Sequence, residues 1–239
     1  MTQSPNPRVN RHGQPIGPAL DGWTPRPLPS DASMTGRTVT VEKLDADRHA
    51  ADLFAAFGDT PDDRDWTYLP VERPVTLADF TAHTRDIQAT RDPLHYAIID
   101  RATGKAVGSS ALMRIDAANG VIEVGNVRYS RRLMRTPAGT EAMYLFMRRA
   151  FDELGYRRYE WKCDALNAAS RRAAERYGFT FEGIFRQAIV VKGRSRDTAW
   201  FSLLDSEWPR VRAAFETWLA SDNFDANGQQ RRSLATLRA

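Results

Sequence analysis

Three consecutive stretches near the middle of the chain leave little freedom of fold. Residues 121–129 and 158–164 read as strands, and the segment from about Pro137 to Leu154 reads as a helix between them. In 158–164 the alternation is clean. Tyr159, Trp161 and Cys163 fall on one side, and Glu160, Lys162 and Asp164 on the other, the period of two that marks a strand. In the intervening segment Met143, Met147, Ala150 and Leu154 share one helical face; Thr136 is a candidate cap, and Pro137 suits the first helical position. A strand, a helix and a second strand in this order imply a parallel crossover.

The flanking segments extend this unit. Thr38 to Leu44 reads as a strand, Ala46 to Phe57 as a helix, and Leu77 to Thr90 as a second helix capped by Thr76. His95 to Ile99 and Ala106 to Ile115 are strands, and Asn119-Gly120 predicts a tight hairpin with both central residues at positive φ. A short helix over 168–177 is capped by Asn167 and stopped by Gly178. Strands at 179–185 and 198–204 and a helix at 207–219 close the order. This implies a mixed α/β fold: one central, largely antiparallel sheet with helices on both faces. Seven prolines within residues 1–36 predict an irregular arm, which Ile16, Leu20 and Trp23 could pin to a domain spanning 37–220; residues 221–239 read as a tail.

Composition narrows the function. No apolar run is long enough to cross a bilayer, and the polar, proline-rich start lacks the apolar stretch of a secretory signal. A single cysteine, Cys163, excludes an internal disulfide and a cysteine-cluster zinc site, which points to a reducing cytoplasm. The four histidines have no metal-ligand spacing, so no metal is expected. Net charge is +4, from 34 basic and 30 acidic residues spread evenly. A nucleic-acid binder would carry a denser basic stripe.

The residues with chemical potential cluster around the crossover. Arg135-Thr136-Pro137-Ala138-Gly139-Thr140 joins the strand to the helix. Small residues permit close backbone approach, a helix start offers unpaired N–H groups, and Arg135 adds a charge-assisted donor; together they suit phosphate, although on the loop alone an ordinary strand-to-helix turn is the favoured explanation. Period two places Glu123 on the same face as Val121, Val127 and Tyr129. A carboxylate there is either a general base or paired with an arginine. Gly125 is a candidate bulge that would part the strand from 158–164 and free the backbone of Val127 and Tyr129. Asn167 and Ser170 read as helix caps with free capacity for a ligand. Trp66, Tyr68 and Asp164 are candidates for an acceptor lining; core packing is the bland alternative for the aromatics.

The loop at 135–140, together with Asn167-Ala168-Ala169-Ser170, Arg176-Tyr177-Gly178-Phe179 and Glu182-Gly183 in that order, resembles the GNAT superfamily of N-acetyltransferases. It is most similar to the branch that acetylates the N-terminal alanine of ribosomal proteins. The resemblance covers about residues 38–204. Ala138 and Thr140 depart from it, standing where that family usually has glycines. It implies transfer of an acetyl group from acetyl-CoA to a primary amine on a small molecule or protein N-terminus. It implies pyrophosphate on the N–H groups of Ala138, Gly139 and Thr140 with Arg135, and the pantetheine arm on Val127, Tyr129 and Asn167. Glu123 would be the base and Ser170, with Tyr177 in reserve, the group that meets the departing thiolate. A homodimer is compatible with this reading. The alternatives are a non-catalytic acyl-CoA-binding regulatory module and, from the charge alone, a basic nucleic-acid binder.

Overall fold

The structure, a computed structural model, describes residues 8–238; Pro5 and Pro7 of the proline-rich arm lie outside that range. A short hairpin of β1 (Arg8–Val9) and β2 (Pro15–Ile16) begins the arm, and β3 (Met34–Thr35) ends it by pairing with β4 (Val39–Lys43). Two helices follow. α1 (Ala46–Gly58) is capped by the Asp45 carboxylate and α2 (Leu77–Gln88) by the Thr76 hydroxyl. A meander of β5 (Leu94–Asp100), β6 (Lys105–Asp116) and β7 (Val121–Tyr129) leads to α3 (Pro137–Arg148). Then come β8 (Arg158–Asp164), α4 (Ala168–Tyr177), β9 (Thr180–Val191), β10 (Arg194–Leu204), α5 (Trp208–Leu219) and α6 (Leu234–Arg238).

Eight strands form one sheet in the order β3-β4-β5-β6-β7-β8-β10-β9. Every neighbouring pair is antiparallel except β7 and β8, which the crossover through α3 makes parallel. Helices cover both faces. One apolar cluster packs α3 and α5 onto Tyr96, Ile98, Ile122, Val124, Tyr159 and Phe201; a smaller one packs α1 and α2 onto Ala97 and Ala106. No described helix is long and apolar enough to cross a membrane.

Four local expectations change. The turn after β6 is a four-residue loop in which only Gly120 has positive φ; Asn119 is held by the Asp116 carboxylate instead. The helix read to Leu154 leaves α geometry at Arg148 and finishes as a π turn over Arg149–Glu153. β9 and β10 run several residues past their predicted ends, because they pair with each other up to a tip at Gly193. In the arm, Trp23 is the pin: its indole donates to the Ala118 carbonyl, and Arg26 and Arg157 stack on its ring. Ile16 and Leu20 stay exposed. Arg149 and the hydroxyls of Tyr96 and Tyr156 also bind arm carbonyls.

One buried carboxylate fixes the start of α3 against the sheet. Glu141, 6% exposed, accepts from the backbone N–H groups of Arg37, Thr38 and Val39 and from the Thr38 hydroxyl. Gly36 permits this approach, since a Cβ there would lie 2.5 Å from the Glu141 carboxyl carbon. Glu141→Ala would strand three N–H donors. It is expected to lower unfolding free energy by about 3 kcal/mol, read as a reduced urea midpoint at unchanged slope.

Candidate active site

The parallel pair at the centre of the sheet comes apart. β7 and β8 are in register from Val121 opposite Arg158 to Val124 opposite Trp161, and no further. The cause lies one residue later. Asn126 has φ of 49°, and three steps of β7, from Gly125 to Arg128, span two steps of β6. This is a bulge, which bends its strand and raises its twist. It follows the expected Gly125 immediately.

Past the bulge, Ser130 N–H donates to the Val107 carbonyl. Hydrogen-bonding direction alternates along an antiparallel ladder. With Gly108 opposite Tyr129 and Ser109 opposite Arg128, Tyr129 and Val127 therefore turn their N–H and C=O groups away from β6, toward the gap. On the far bank, β8 remains bonded to β10 through Asp164.

The bulge also reverses the faces. Val127 and Tyr129 pack in the same cluster as Ile122 and Val124, so Glu123 faces away from them, contrary to the uninterrupted period read from the sequence. Glu123 is 2% exposed. Its two oxygens lie 2.9 and 2.8 Å from one Arg114 nitrogen, and Lys162 Nζ is 2.8 Å from Oε2. Of the two readings of Glu123, the arginine-paired carboxylate is the geometry present. Arg114 is itself at a bulge, with φ of 47° and its N–H on the Asp92 carboxylate. Lys162 continues to Glu160, Glu160 to Arg158, and Arg158 to Glu182.

At the head of α3 the Thr136 hydroxyl accepts from Gly139 N–H, and the Thr136 carbonyl accepts from Thr140 N–H. Two of the three expected phosphate donors are thus engaged by the helix itself. The N–H groups of Arg135, Thr136 and Ala138 have no partner among the described residues. Arg135 has φ of 59° and an exposed side chain. Gly139 has to be small, since a Cβ there would lie 2.5 Å from the Leu133 carbonyl oxygen. The Thr140 hydroxyl is buried and accepts from Arg176, a cation at this end that the loop pattern did not reveal.

The α4 residues divide between two ends of the gap. Ser170 accepts from the Trp161 indole at 3.0 Å and lies beside the Cys163 thiol, whose pKa burial raises. Tyr177 lies beside Thr140 and is buried, which raises its pKa as well. Asn167 caps α4 through Ser170 N–H, and Asp164 accepts from Leu166 N–H. Trp66 is buried against Phe57 in the smaller core, whereas Tyr68 is partly exposed and its hydroxyl donates to the Leu166 carbonyl, tying the α1–α2 loop to the β8–α4 loop.

Residues 38–180 match the family model described as an acetyltransferase (GNAT) domain. The chain belongs to the GNAT acetyltransferase family. A GCN5-related N-acetyltransferase from Brucella melitensis is 52% identical, with a TM-score of 0.90 over 92% of this chain and 99% of that one. The uncharacterized N-acetyltransferase p20 of Bacillus licheniformis is 25% identical over 71% of this chain and 94% of its own length. An acetyl transferase of Salmonella typhimurium that modifies the N-terminal serine of a 50S ribosomal subunit protein is 18% identical, with a TM-score of 0.59 over 71% of this chain and 96% of that one; it shares the fold.

The α1–α2 face of this GNAT domain carries a polar cluster that the sequence reading missed. Arg128, on β7, places its guanidinium 5.3 Å from the centre of the Trp66 ring and 3.4 Å from His83 Nε2. His95, on β5, is 5% exposed. Burial first, then Arg128 and His83, push its pKa down to about 4. His83 is lowered too, by burial and Arg128 against a smaller opposing effect of Asp86. Burial brings Arg128 down to about 10, leaving it charged at neutral pH. The one available signal was a charged residue between the apolar Val127 and Tyr129 of a central strand.

Unfolded histidine binds its proton near pH 6.5. As pH falls toward 4, the unfolded chain takes up a proton that folded His95 refuses, so its contribution to stability is present above about pH 6.5 and lost progressively below it. The full loss is about 3 kcal/mol. Urea midpoints from pH 7 to 4.5 should therefore fall more steeply for the native protein than for His95→Gln.

Proposed function

We propose that this protein transfers an acetyl group from acetyl-CoA to a primary amine by direct attack within a ternary complex. The observation that carries the reading is the parted pair β7–β8, with the backbone of Val127 and Tyr129 turned into the gap beside a loop holding free N–H groups. Pantetheine amides would add to β7 as an extra strand does. Pyrophosphate would meet the N–H groups of Arg135, Thr136 and Ala138, with the Arg135 side chain and Arg176 as cations. Gly139 allows the close approach, and Thr140 acts through Arg176 and Tyr177 rather than through its own N–H. Asn167 retains its side-chain amide donors for the pantetheine arm.

The thioester supplies an activated acyl carbon. The chain supplies position, donors and a proton path. Only a neutral amine attacks, and Glu123 is assigned to accept its proton. Because both carboxylate oxygens already bind Arg114 or Lys162, this path runs through a water on a remaining lone pair. Backbone N–H groups at the bulge would hold the oxyanion. Ser170, beside Cys163 at the rim of the gap, donates to the departing thiolate, with Tyr177 as the second candidate. The amine enters over the α1–α2 face, between Tyr68 and Asp164. Trp66 supports the wall from the core.

Two outcomes follow. Acetyl-CoA at a hundredfold excess over its Kd should raise Tm by roughly 5–10 °C; no shift at millimolar concentration removes the reading. Glu123→Gln should keep that shift and lose about 10²-fold in kcat. Full activity across the pH range would move proton acceptance to another group, His95 first.

A further inference from the structure

On the α1–α2 side of the gap, the cations around Arg128 are held by carboxylates. Arg114 and Lys162 hold Glu123, Arg158 holds Glu160 and Glu182, Arg131 holds Asp65, and Arg132 holds Asp59. Arg128 has no carboxylate at ion-pair distance among the described residues. Its contacts are the Trp66 ring and His83 Nε2. His83 and His95 stay neutral at working pH because burial and Arg128 disfavour their protonation. A partly buried guanidinium with no counter-ion is costly unless a ligand supplies one.

The surroundings fit such a ligand. Arg128 stands two residues past the bulge, on the face opposite Tyr129, and therefore on the side from which the amine would enter. Its cross-strand neighbour is Ser109, and the adjacent row of this face holds His95, Ala111 and Gly125. The Ser109 hydroxyl and the His95 ring nitrogens have no hydrogen-bond partner among the described residues, and both residues keep a trace of exposure. Trp66, which backs the guanidinium, is fixed from outside: Lys192 donates to its carbonyl and Arg194 to that of Thr67. A planar fork held by a rigid ring matches a carboxylate in two-point contact.

We propose that Arg128 docks a carboxylate of the acceptor, so that the substrates are amino acids or similar amines bearing a carboxylate close to the nitrogen. This rests on the acetyltransferase reading above and specifies its second substrate. Ser109 and His95 complete the hydrogen bonding. The carboxylate end binds Arg128 while the amine end lies toward the bulge, where Glu123 takes the proton.

The experiment compares α-amino acids with their carboxamides as acceptors, following thiol release from acetyl-CoA. At neutral pH the amides have the larger fraction of free amine, so intrinsic reactivity favours them. The native enzyme should nevertheless prefer the acids by about 30-fold in kcat/KM, the worth of one charged two-point contact. In Arg128→Met that preference should vanish through a higher KM for the acids, with the amides little changed; Arg128→Lys should keep part of it. A second arm needs no turnover: N-acetylamino acids, the products, should raise the Tm of the native protein and not of Arg128→Met, while their amides raise neither. Equal or better use of amides by the native enzyme, or an unchanged preference in Arg128→Met, overturns the proposal. If Arg128→Met does not fold, the acid-to-amide ratios of the native enzyme and Arg128→Lys decide. An acetyl-CoA shift without acid preference sinks this inference alone; absence of that shift and of all transfer sinks the acetyltransferase reading with it.

Discussion

The left-handed residue at Asn126 is the constraint from which the centre of this molecule follows. An L-residue in that conformation costs about 1 kcal/mol, and asparagine tolerates it better than most. Its effect is out of proportion to the cost. One extra residue in β7 ends the ladder to β8 after Val124 and swaps the faces of everything downstream. Val127 and Tyr129 are delivered to the α3–α4 side with their backbone groups toward the gap, and Arg128 to the α1–α2 side. Backbone N–H and C=O groups cannot be left unpaired in a protein interior, so a gap of this kind needs water or a ligand with amides of its own. A sheet that ran straight through residue 126 would have no place for either.

Opening a parallel pair at the middle of a sheet weakens the tie between its halves. The charged chain on the α1–α2 face restores it. Arg114 of β6, Glu123 of β7, Lys162, Glu160 and Arg158 of β8, Glu182 of β9 and Ser202 of β10 form one connected set. It contains three carboxylates and three cations. Buried ion pairs of this sort add little net stability over apolar packing, but removal of one member leaves an uncompensated charge. Their value here is register: five strands are tied together across the last paired rungs of β7 and β8, just before the ladder ends. Lys162 lies 3.9 Å from the centre of the Trp200 ring, which closes the set on the outer side.

Most of the elements were legible because their signals are local. The helix at 168–177 has a cap and a stop in its own sequence, and the strand at 158–164 alternates without interruption. The parallel crossover followed from order alone. What could not be read depends on partners distant in sequence. The period of two is silent about a one-residue bulge, so the face of Glu123 was right only up to Gly125. Glu141 looked like an ordinary helix residue because its four donors lie a hundred positions earlier. The loop pattern does not disclose that Thr136 claims the N–H groups of Gly139 and Thr140 for the helix, so that Ala138, of the three residues expected there, keeps its N–H free. Arg128 and His95 passed as strand residues because neither belongs to a motif.

The two faces of the gap end up chemically distinct. Toward α3 and α4 it meets Tyr129, Trp161, Tyr177 and Cys163, all uncharged at neutral pH, with burial raising the pKa of the two phenols and the thiol further. Toward α1 and α2 it meets charge, held in ion pairs around Glu123 but without a carboxylate at Arg128. That asymmetry suits a reaction between a thioester, whose arm is neutral and amide-bearing, and an amine that arrives protonated and has to lose a charge before it reacts. The neutral wall costs the arm little in lost hydration. On the charged wall, the paired carboxylate of Glu123 would face an incoming ammonium without adding net charge, whereas the guanidinium of Arg128 would set a demand for an anionic group. Selection among amines on such a surface would come from what the amine carries beside its nitrogen.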